Sequence, residues 1–390
     1  MFMDLMRPFG AYEFFAGGGM ARIGLGAAWK CLFANDFDAK KVAAYRDNFD
    51  GAPEMIHDDV RKLSTKCLPG HATLAWASFP CQDLSLAGAG AGLAGERSGV
   101  FWPFWQLMLN LKKEGRLPPI IALENVAGLM TSHGGADLAG LLTALADAGY
   151  RAGAVLLDAA YFVPQSRPRL FIIAVVRGVQ IPKGLVGRVP NPTWHPEALQ
   201  RVVDSLPPKA KKAWLWWKLP MPAKEALHLA DIIEDDPKGV IWHTQAETKR
   251  LLSMMTPANL VKVEEAKRAG TRQVGTIYKR TRLNVQRAEV RFDGVSGCLR
   301  TPSGGSSRQT VMIVEGNRIR SRLISPRETA RLMGLPESYI LPVKYNDCYH
   351  LTGDGVVVPA VAWLEQHIIR PLGVAAQHVI SPLVEESLDV

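Results

Sequence analysis

The sequence predicts an α/β fold: a largely parallel sheet with helices on both faces, joined to a smaller and less regular region. Three observations carry that expectation. From residue 11 to about 178, short β-rich apolar runs alternate with helix-like segments, as strand–helix–strand units require. The alternation breaks near Arg177, and regular helical signals return only at Ser325. A chain of 390 residues is long enough for more than one domain. The breaks suggest boundaries at 1–178, 179–320 and 321–390.

Taken in order, the apolar runs lie at 11–16, 31–35, 73–79, 120–124 and 170–176. Between them, residues 37–49 place Val42, Tyr45 and Phe49 on one helical face, and 136–148 (ADLAGLLTALADA) is rich in helix formers. Residues 179–320 are different. They hold scattered prolines, a tryptophan cluster (Trp214, Trp216, Trp217) and two basic runs, Lys209/Lys211/Lys212 and Lys279/Arg280/Arg282. Ser325-Pro326-Arg327-Glu328 reads as a capping box with proline at the first helical position. Gly334 can close that helix in a left-handed turn before Pro336, and a last helix is expected after Pro359.

Composition narrows the class. The chain is 47% hydrophobic and 21% charged, an ordinary globular balance. A net charge of +9 suits a polyanionic partner such as nucleic acid, although a basic enzyme without one has the same balance. Five cysteines, at 31, 67, 81, 298 and 348, show neither CxxC nor Cys/His metal spacing. That argues against a disulfide framework and a zinc site, and for a reducing, cytoplasmic setting. No apolar run approaches the roughly 20 residues of a membrane span, and the N-terminus lacks a charged-then-apolar signal design.

Four motifs carry chemistry. The first apolar run ends in Phe14-Phe15-Ala16-Gly17-Gly18-Gly19. A strand entering a glycine turn before a helix is a common seat for a nucleotide-like ligand, and this one is not GxGxxG. Asp36 follows about 20 residues later, where an acid holds ribose hydroxyls, and Asp59 is a candidate to cap an adenine amine. A tight turn with two surface acids accounts for the same residues. Pro80-Cys81-Gln82 follows the run TLAWA, so Cys81 falls at a strand's C-terminal end, ahead of a glycine-rich stretch able to act as a lid. A lone cysteine is more often an inert core residue. Glu124-Asn125-Val126 ends another run. A carboxylate there points into the same cleft and, in apolar surroundings, would hold or deliver a proton; a helix N-cap acid is the plainer reading. In Gln165-Ser166-Arg167-Pro168-Arg169, an extended backbone puts Arg167 and Arg169 on one face, suited to an anion or carbonyl oxygen, or simply to a solvated edge.

In this order, the FAGGG turn, Pro80-Cys81-Gln82, Glu124-Asn125-Val126, Gln165-x-Arg167-x-Arg169, Arg327-Glu328 through Leu335-Pro336, and Gly353-Asp354-Gly355 resemble the blocks of the bacterial and phage C5-cytosine-specific DNA methyltransferases. The resemblance spans nearly the whole chain. It implies the Rossmann-like fold of class I S-adenosylmethionine-dependent methyltransferases, with 1–178 catalytic, 179–320 a target-recognition domain and 321–390 returning so that the terminal helix packs against the first strand. It also implies roles. Phe15, Ala16, Gly17, Gly19, Asp36, Asp59 and Pro80 line an S-adenosyl-L-methionine site. Cys81 attacks C6 of a flipped cytosine, Glu124 engages N3 and the exocyclic amine, and Arg167 and Arg169 steady the base. Gln82, Ser85 and Arg97 lie on a loop that closes on duplex DNA.

Ser306 and Arg308, in a Gly/Ser loop, are read as further DNA contacts, with a hairpin turn as the alternative. The implied partners are duplex DNA, bound by a monomer, and a cognate restriction endonuclease. Two departures from the pattern stand out: Met20 where many members have glycine, and Asp354 in place of the commoner asparagine. Two rival readings share the resemblance. One is a tRNA cytosine-C5 methyltransferase, whose Cys-Phe-Thr block is absent here. The other is a non-catalytic DNA-binding relative, a class that usually loses the nucleophile or the ENV acid. A nicotinamide-dependent oxidoreductase lacks support without GxGxxG.

Overall fold

The apolar runs of the first half become strands of one sheet, and their buried, near-continuous character is what a parallel sheet covered on both faces demands. In the computed structural model, the described residues are 8–80, 99–223, 227–282, 285–300 and 308–385. They form two units, one drawn from Met1–Leu157, Pro168–Met221 and Ala360–Val390, the other from Asp158–Arg167 and Pro222–Pro359.

The first unit is built on β1 (Phe9–Phe14), β2 (Trp29–Asp36), β3 (Met55–His57), β4 (Leu74–Ser78), β5 (Ile120–Val126), β6 (Tyr150–Asp158) and β7 (Pro168–Val176). Their order across the sheet is β3-β2-β1-β4-β5-β7-β6. β1 to β5 run parallel to one another, and β7 is antiparallel to β5. This is the class I methyltransferase architecture. Its helices are α1 (Met20–Leu25), α2 (Ala39–Asn48), α3 (Phe101–Lys113), α4 (Ala136–Ala148), α5 (Glu197–Asp204) and α6 (Pro208–Ala213). Alternate strand residues choose the face. Tyr12, Phe14, Phe33, Ala77 and Leu123 pack with Phe104 of α3 and Leu141 of α4. Ala34, of opposite parity to Phe33, packs with Val42 and Tyr45 of α2.

β6 is absent from the sequence reading, because YRAGAVLLD is diluted by glycine and alanine. Gly153 has a steric reason to be there. A Cβ on it would lie 2.2 Å from the Leu215 carbonyl oxygen and 2.7 Å from the Trp217 ring. The tryptophan cluster thus belongs to this unit, and not to a separate DNA-reading insert. Leu215 N–H donates to Ala152 O at 2.8 Å, and the buried Trp217 indole donates to Ile173 O at 3.2 Å. Lys209, on α6, pairs with Asp147 at 2.6 Å.

The structural division therefore falls after Met221, where the sequence suggested 178. Loss of strand–helix rhythm marked irregular covering of the sheet, and no change of unit. The second break falls after Pro359, where the sequence suggested 320.

In the second unit, β8 (Val186–Gly187) and β9 (Trp216–Trp217) having served only as a short ribbon in the first, the sheet is β10 (Gln273–Arg282), β11 (Val285–Arg291), β12 (Thr310–Glu315) and β13 (Arg318–Leu323), antiparallel in the order β11-β10-β12-β13. α7 (Leu229–Ile232), α8 (Gln245–Ser253), α9 (Pro257–Arg268), α10 (Pro326–Leu332) and α11 (Tyr345–Asp354) complete it. Leu251, Val263, Ile277, Val290 and Met312 share its core. The expected capping box opens α10: Ser325 Oγ accepts from Glu328 N–H at 3.1 Å, and the Glu328 carboxylate accepts from Ser325 N–H at 2.7 Å. That carboxylate also pairs with the fully buried Arg322, and Glu234 N–H donates to it at 2.8 Å. These ties hold 325–335 in the second unit.

The chain ends in α12 (Val358–Leu364) and α13 (Arg370–Glu385). As expected, they return to the first strands. Trp29 Nε1 donates to Glu365 at 2.9 Å, and Gly373 sits against the rings of Phe9 and Trp29. No helix among the described residues is long and apolar enough to cross a membrane.

Candidate active site

In a parallel sheet all strands deliver their C-terminal ends to one edge, and the crevice opens where the strand order reverses. Here that point lies between β1 and β4. Phe14 is level with Asn35 of β2 and Ala77 of β4, and Ser78 is level with Glu124 of β5. The glycine turn, Asp36, the approach to Cys81 and Glu124 therefore share one edge of the first unit.

The turn after β1 is tight. Phe15, Gly17 and Gly19 all have positive φ, at 56°, 55° and 79°. Gly19 has a second constraint, because a Cβ there would fall 2.2 Å from the Phe49 ring. Met20, where the family pattern has glycine, opens α1 and is buried in the core. Asp36 braces the turn from β2: its carboxylate accepts from Gly17 N–H at 2.8 Å and from Asp38 N–H at 2.9 Å. Burial pushes its carboxyl above the usual range. Each oxygen has a second lone pair for a hydroxyl donor. Phe37, next to Asp36, is 67% exposed at the same edge. The sequence reading passed over it; an aromatic directly after the acid was the available signal. Asp59 caps the turn Val60–Lys62, and the Arg61 side chain, bonded at 2.5 and 3.0 Å, holds its carboxyl below the ordinary value. It thus remains an acceptor.

Glu13, in the middle of β1, also went unnoticed, since one acid in an apolar run carries no periodic signal. It is buried, with Oε1 accepting from Arg22 N–H at 3.2 Å and Oε2 from Tyr45 Oη–H at 3.1 Å. These bonds tie α1 and α2 to the strand beneath the glycine turn. Burial pushes its carboxyl up to about 7 from 4.5. The native state therefore holds a proton that the unfolded chain releases. The stabilising protonation is fully present below pH 4.5 and is lost as pH rises through about 7, a change on the order of 3 kcal/mol. Glu13→Gln mimics the protonated form. Urea unfolding should show the variant gaining on the wild type by up to about that amount between pH 4.5 and 8. A constant difference across that range would show that Glu13 ionises normally.

Pro80 is exposed at the end of β4, and the buried Phe79 precedes it. Asn125, beside Glu124, donates from Nδ2 to Phe79 O at 2.9 Å and fixes the chain two residues before Cys81. Cys81, Gln82, Ser85, Arg97 and Ser306 lie outside the described residues. Of the described cysteines, burial pushes the thiols of Cys31 and Cys348 up to about 12 and about 11, so neither is a ready thiolate. Glu124 is 6% exposed and pairs with Arg169 Nε at 3.1 Å across β5 and β7.

Arg167 does not share that role. It is 2% exposed, in the second unit, and donates to the carbonyls of Leu299, Gly353 and Gly355 at 2.9, 2.8 and 2.7 Å. Gln165 likewise donates to Leu332 O and accepts from Leu299 N–H, at 2.8 and 3.0 Å. The two terminal nitrogens of Arg167 donate to its three carbonyls and to the Cys298 sulfur, and the side chain anchors the Gly353-Asp354-Gly355 segment. Arg308 donates to Asn346 at 2.6 Å and lies over the Tyr345 ring.

The chain is similar to known proteins along most of its length. The family model for the C-5 cytosine-specific DNA methylase matches residues 9–370. Type II methyltransferase M.HpaII of Haemophilus parainfluenzae is 26% identical, over 95% of this chain and 92% of its own. M.HhaI of Haemophilus parahaemolyticus is 24% identical, over 91% and 93%. Among solved structures, the S. pombe Dnmt2 methyltransferase superposes with a TM-score of 0.58 at 16% identity, over 95% of this chain and 99% of its own. The Entamoeba histolytica methyltransferase EhMeth gives 0.57 at 13%, over 94% and 98%.

Proposed function

Because the chain belongs to the C-5 cytosine-specific DNA methylase family, we propose that it methylates carbon 5 of a cytosine flipped out of duplex DNA, with Cys81 as covalent nucleophile and S-adenosyl-L-methionine as donor. The observation that carries this reading is the shared sheet edge. Glu124 is level with Ser78, three residues before Cys81, and the glycine turn braced by Asp36 ends the neighbouring strand.

The residues fit the donor. Gly17, left-handed and with open space where a Cβ would stand, leaves room for close approach. Asp36 accepts from ribose hydroxyls, Phe37 offers a face for the adenine, Asp59 accepts from its amine, and Ala16 and Pro80 line the site. When bound, S-adenosylmethionine supplies an electrophilic methyl group, so no metal is needed.

Carbon 5 of cytosine is a poor nucleophile in the intact ring. The Cys81 thiolate adds to C6 while Glu124 holds a proton at N3, and C5 becomes an enamine carbon. Methyl transfer to C5 would leave S-adenosylhomocysteine; the C5 proton then passes to solvent, its electron pair restores the C5–C6 double bond, the C6–sulfur bond breaks to return the Cys81 thiolate, and the N3 proton returns to Glu124. Arg169 acts as a positioning residue that orients the Glu124 carboxylate. Reaching C6 requires extrusion of the base from the stack, at roughly a few kcal/mol. DNA recognition falls to the second unit.

Bisulfite sequencing of DNA from cells expressing the protein tests this reading. Cytosines protected at one recurring short sequence are expected. Full conversion at every cytosine would contradict it.

A further inference from the structure

In the antiparallel pair β10–β11, Arg280 stands directly opposite Arg287. Directly opposed residues point to the same side of the sheet, with Cβ atoms about 4.5–5.5 Å apart, and like charges so placed destabilise the pair. Tyr278, two residues before Arg280, shares that face. The guanidiniums of Arg280 and Arg300 lie 5.2 and 5.8 Å from the Tyr278 ring centroid. Arg280, Arg287 and Arg300 are all exposed.

Acidic compensation is thin. Glu289 approaches Arg280 only to 3.6 Å, and both side chains are well solvated, so the pair contributes little. The face opens beside a cleft of about 320 Å³ whose lining includes Lys262, Tyr278, Arg280 and Arg291. A fold that tolerates opposed arginines on an open strand pair, with a third stacked alongside, sets aside cationic charge for an anionic partner.

We infer that this face of β10–β11, through Arg280, Arg287 and Arg300, is a phosphate-contacting surface for duplex DNA. The inference rests on the reading of the chain as a DNA methyltransferase and adds where the backbone is held. The three guanidiniums neutralise phosphates and set register, while base identity is read elsewhere. Tyr278 limits the freedom of two of them, so less rotamer entropy is lost on binding.

Counterion release supplies the test. Binding of a fluorescent 30-base-pair duplex to the full chain is measured by anisotropy between 50 and 300 mM KCl. Each lost phosphate contact lowers the slope of log K against log salt by about 0.9. Arg287→Ala/Arg300→Ala should therefore flatten the slope by about 1.8, and weaken binding at 100 mM by on the order of tenfold per arginine. Arg287→Lys/Arg300→Lys should restore the slope, which a merely structural role would not predict. The thermal midpoint of the alanine variant should not fall. An unchanged slope in the alanine variant, with wild-type binding and methylation of duplex DNA intact, would overturn this surface alone. Failure of the wild type to bind duplex DNA, with tRNA bound instead, would overturn both the surface and the reading beneath it.

Discussion

Cys81→Ser is expected to lower methyl transfer to duplex DNA by about four orders of magnitude or more, with S-adenosylhomocysteine affinity almost unchanged. The scale is that of losing a covalent nucleophile. A serine hydroxyl remains protonated far above neutral pH and does not add to C6, so the C5 carbon is never activated. Cofactor affinity should survive because, Pro80 apart, its proposed contacts come from other strands. The turn after β1 is braced by Asp36 of β2, and the end of β4 is held independently by Asn125 at Phe79. Single-turnover transfer of labelled methyl, with isothermal titration of S-adenosylhomocysteine, measures both. Substantial transfer by the serine variant would mean that a different atom attacks C6.

Glu124→Gln is expected to cut turnover by roughly two to four orders of magnitude, the usual contribution of a positioned proton donor or acceptor. Glutamine keeps an oxygen toward Arg169 Nε, so the bond between β5 and β7 survives in neutral form. What it cannot do is exchange a proton with N3 of cytosine. Turnover should therefore fall while cofactor affinity and thermal midpoint stay close to wild type. A parallel collapse in midpoint and cofactor binding would identify Glu124 as a structural ion-pair partner. The distinction matters because the carboxylate is buried, and removal of one member of a buried pair is costly even without a catalytic role.

Much of this site was legible in the sequence. Strand ends are marked by abrupt transitions from apolar runs to glycine, proline or acid, so the FAGGG turn, Asp36 and Glu124 could be placed on one sheet edge before any coordinates. The capping box at Ser325 and the stop at Gly334 were equally local, and both formed. What escaped were features decided by tertiary contact. β6 needs Gly153 because Trp217 packs onto it, so a strand looks like a loop. Trp214 to Trp217 read as a separate insert because short irregular segments that cover a sheet lack its period. Arg167 and Arg169 are two residues apart, yet their partners differ: three backbone carbonyls and the Cys298 sulfur for one, the buried Glu124 carboxylate for the other. Spacing alone cannot tell a cation that anchors a chain from one that faces a cleft. Glu13 was hidden for a related reason, since its environment comes from Tyr45 and Arg22 on two other elements.

The central claim is that one sulfur attacks the cytosine ring. Duplex DNA in which cytosine is replaced by 5-fluorocytosine tests it directly, because fluorine at C5 cannot leave as a proton does and the C6–sulfur bond stays closed. Incubated with this DNA and S-adenosylmethionine, the protein should form a complex that survives denaturing electrophoresis. Peptide mapping should place the modified base on Cys81. Absence of any stable complex from a preparation that methylates ordinary DNA, or a crosslink mapped to Cys67 or Cys298, would contradict the account.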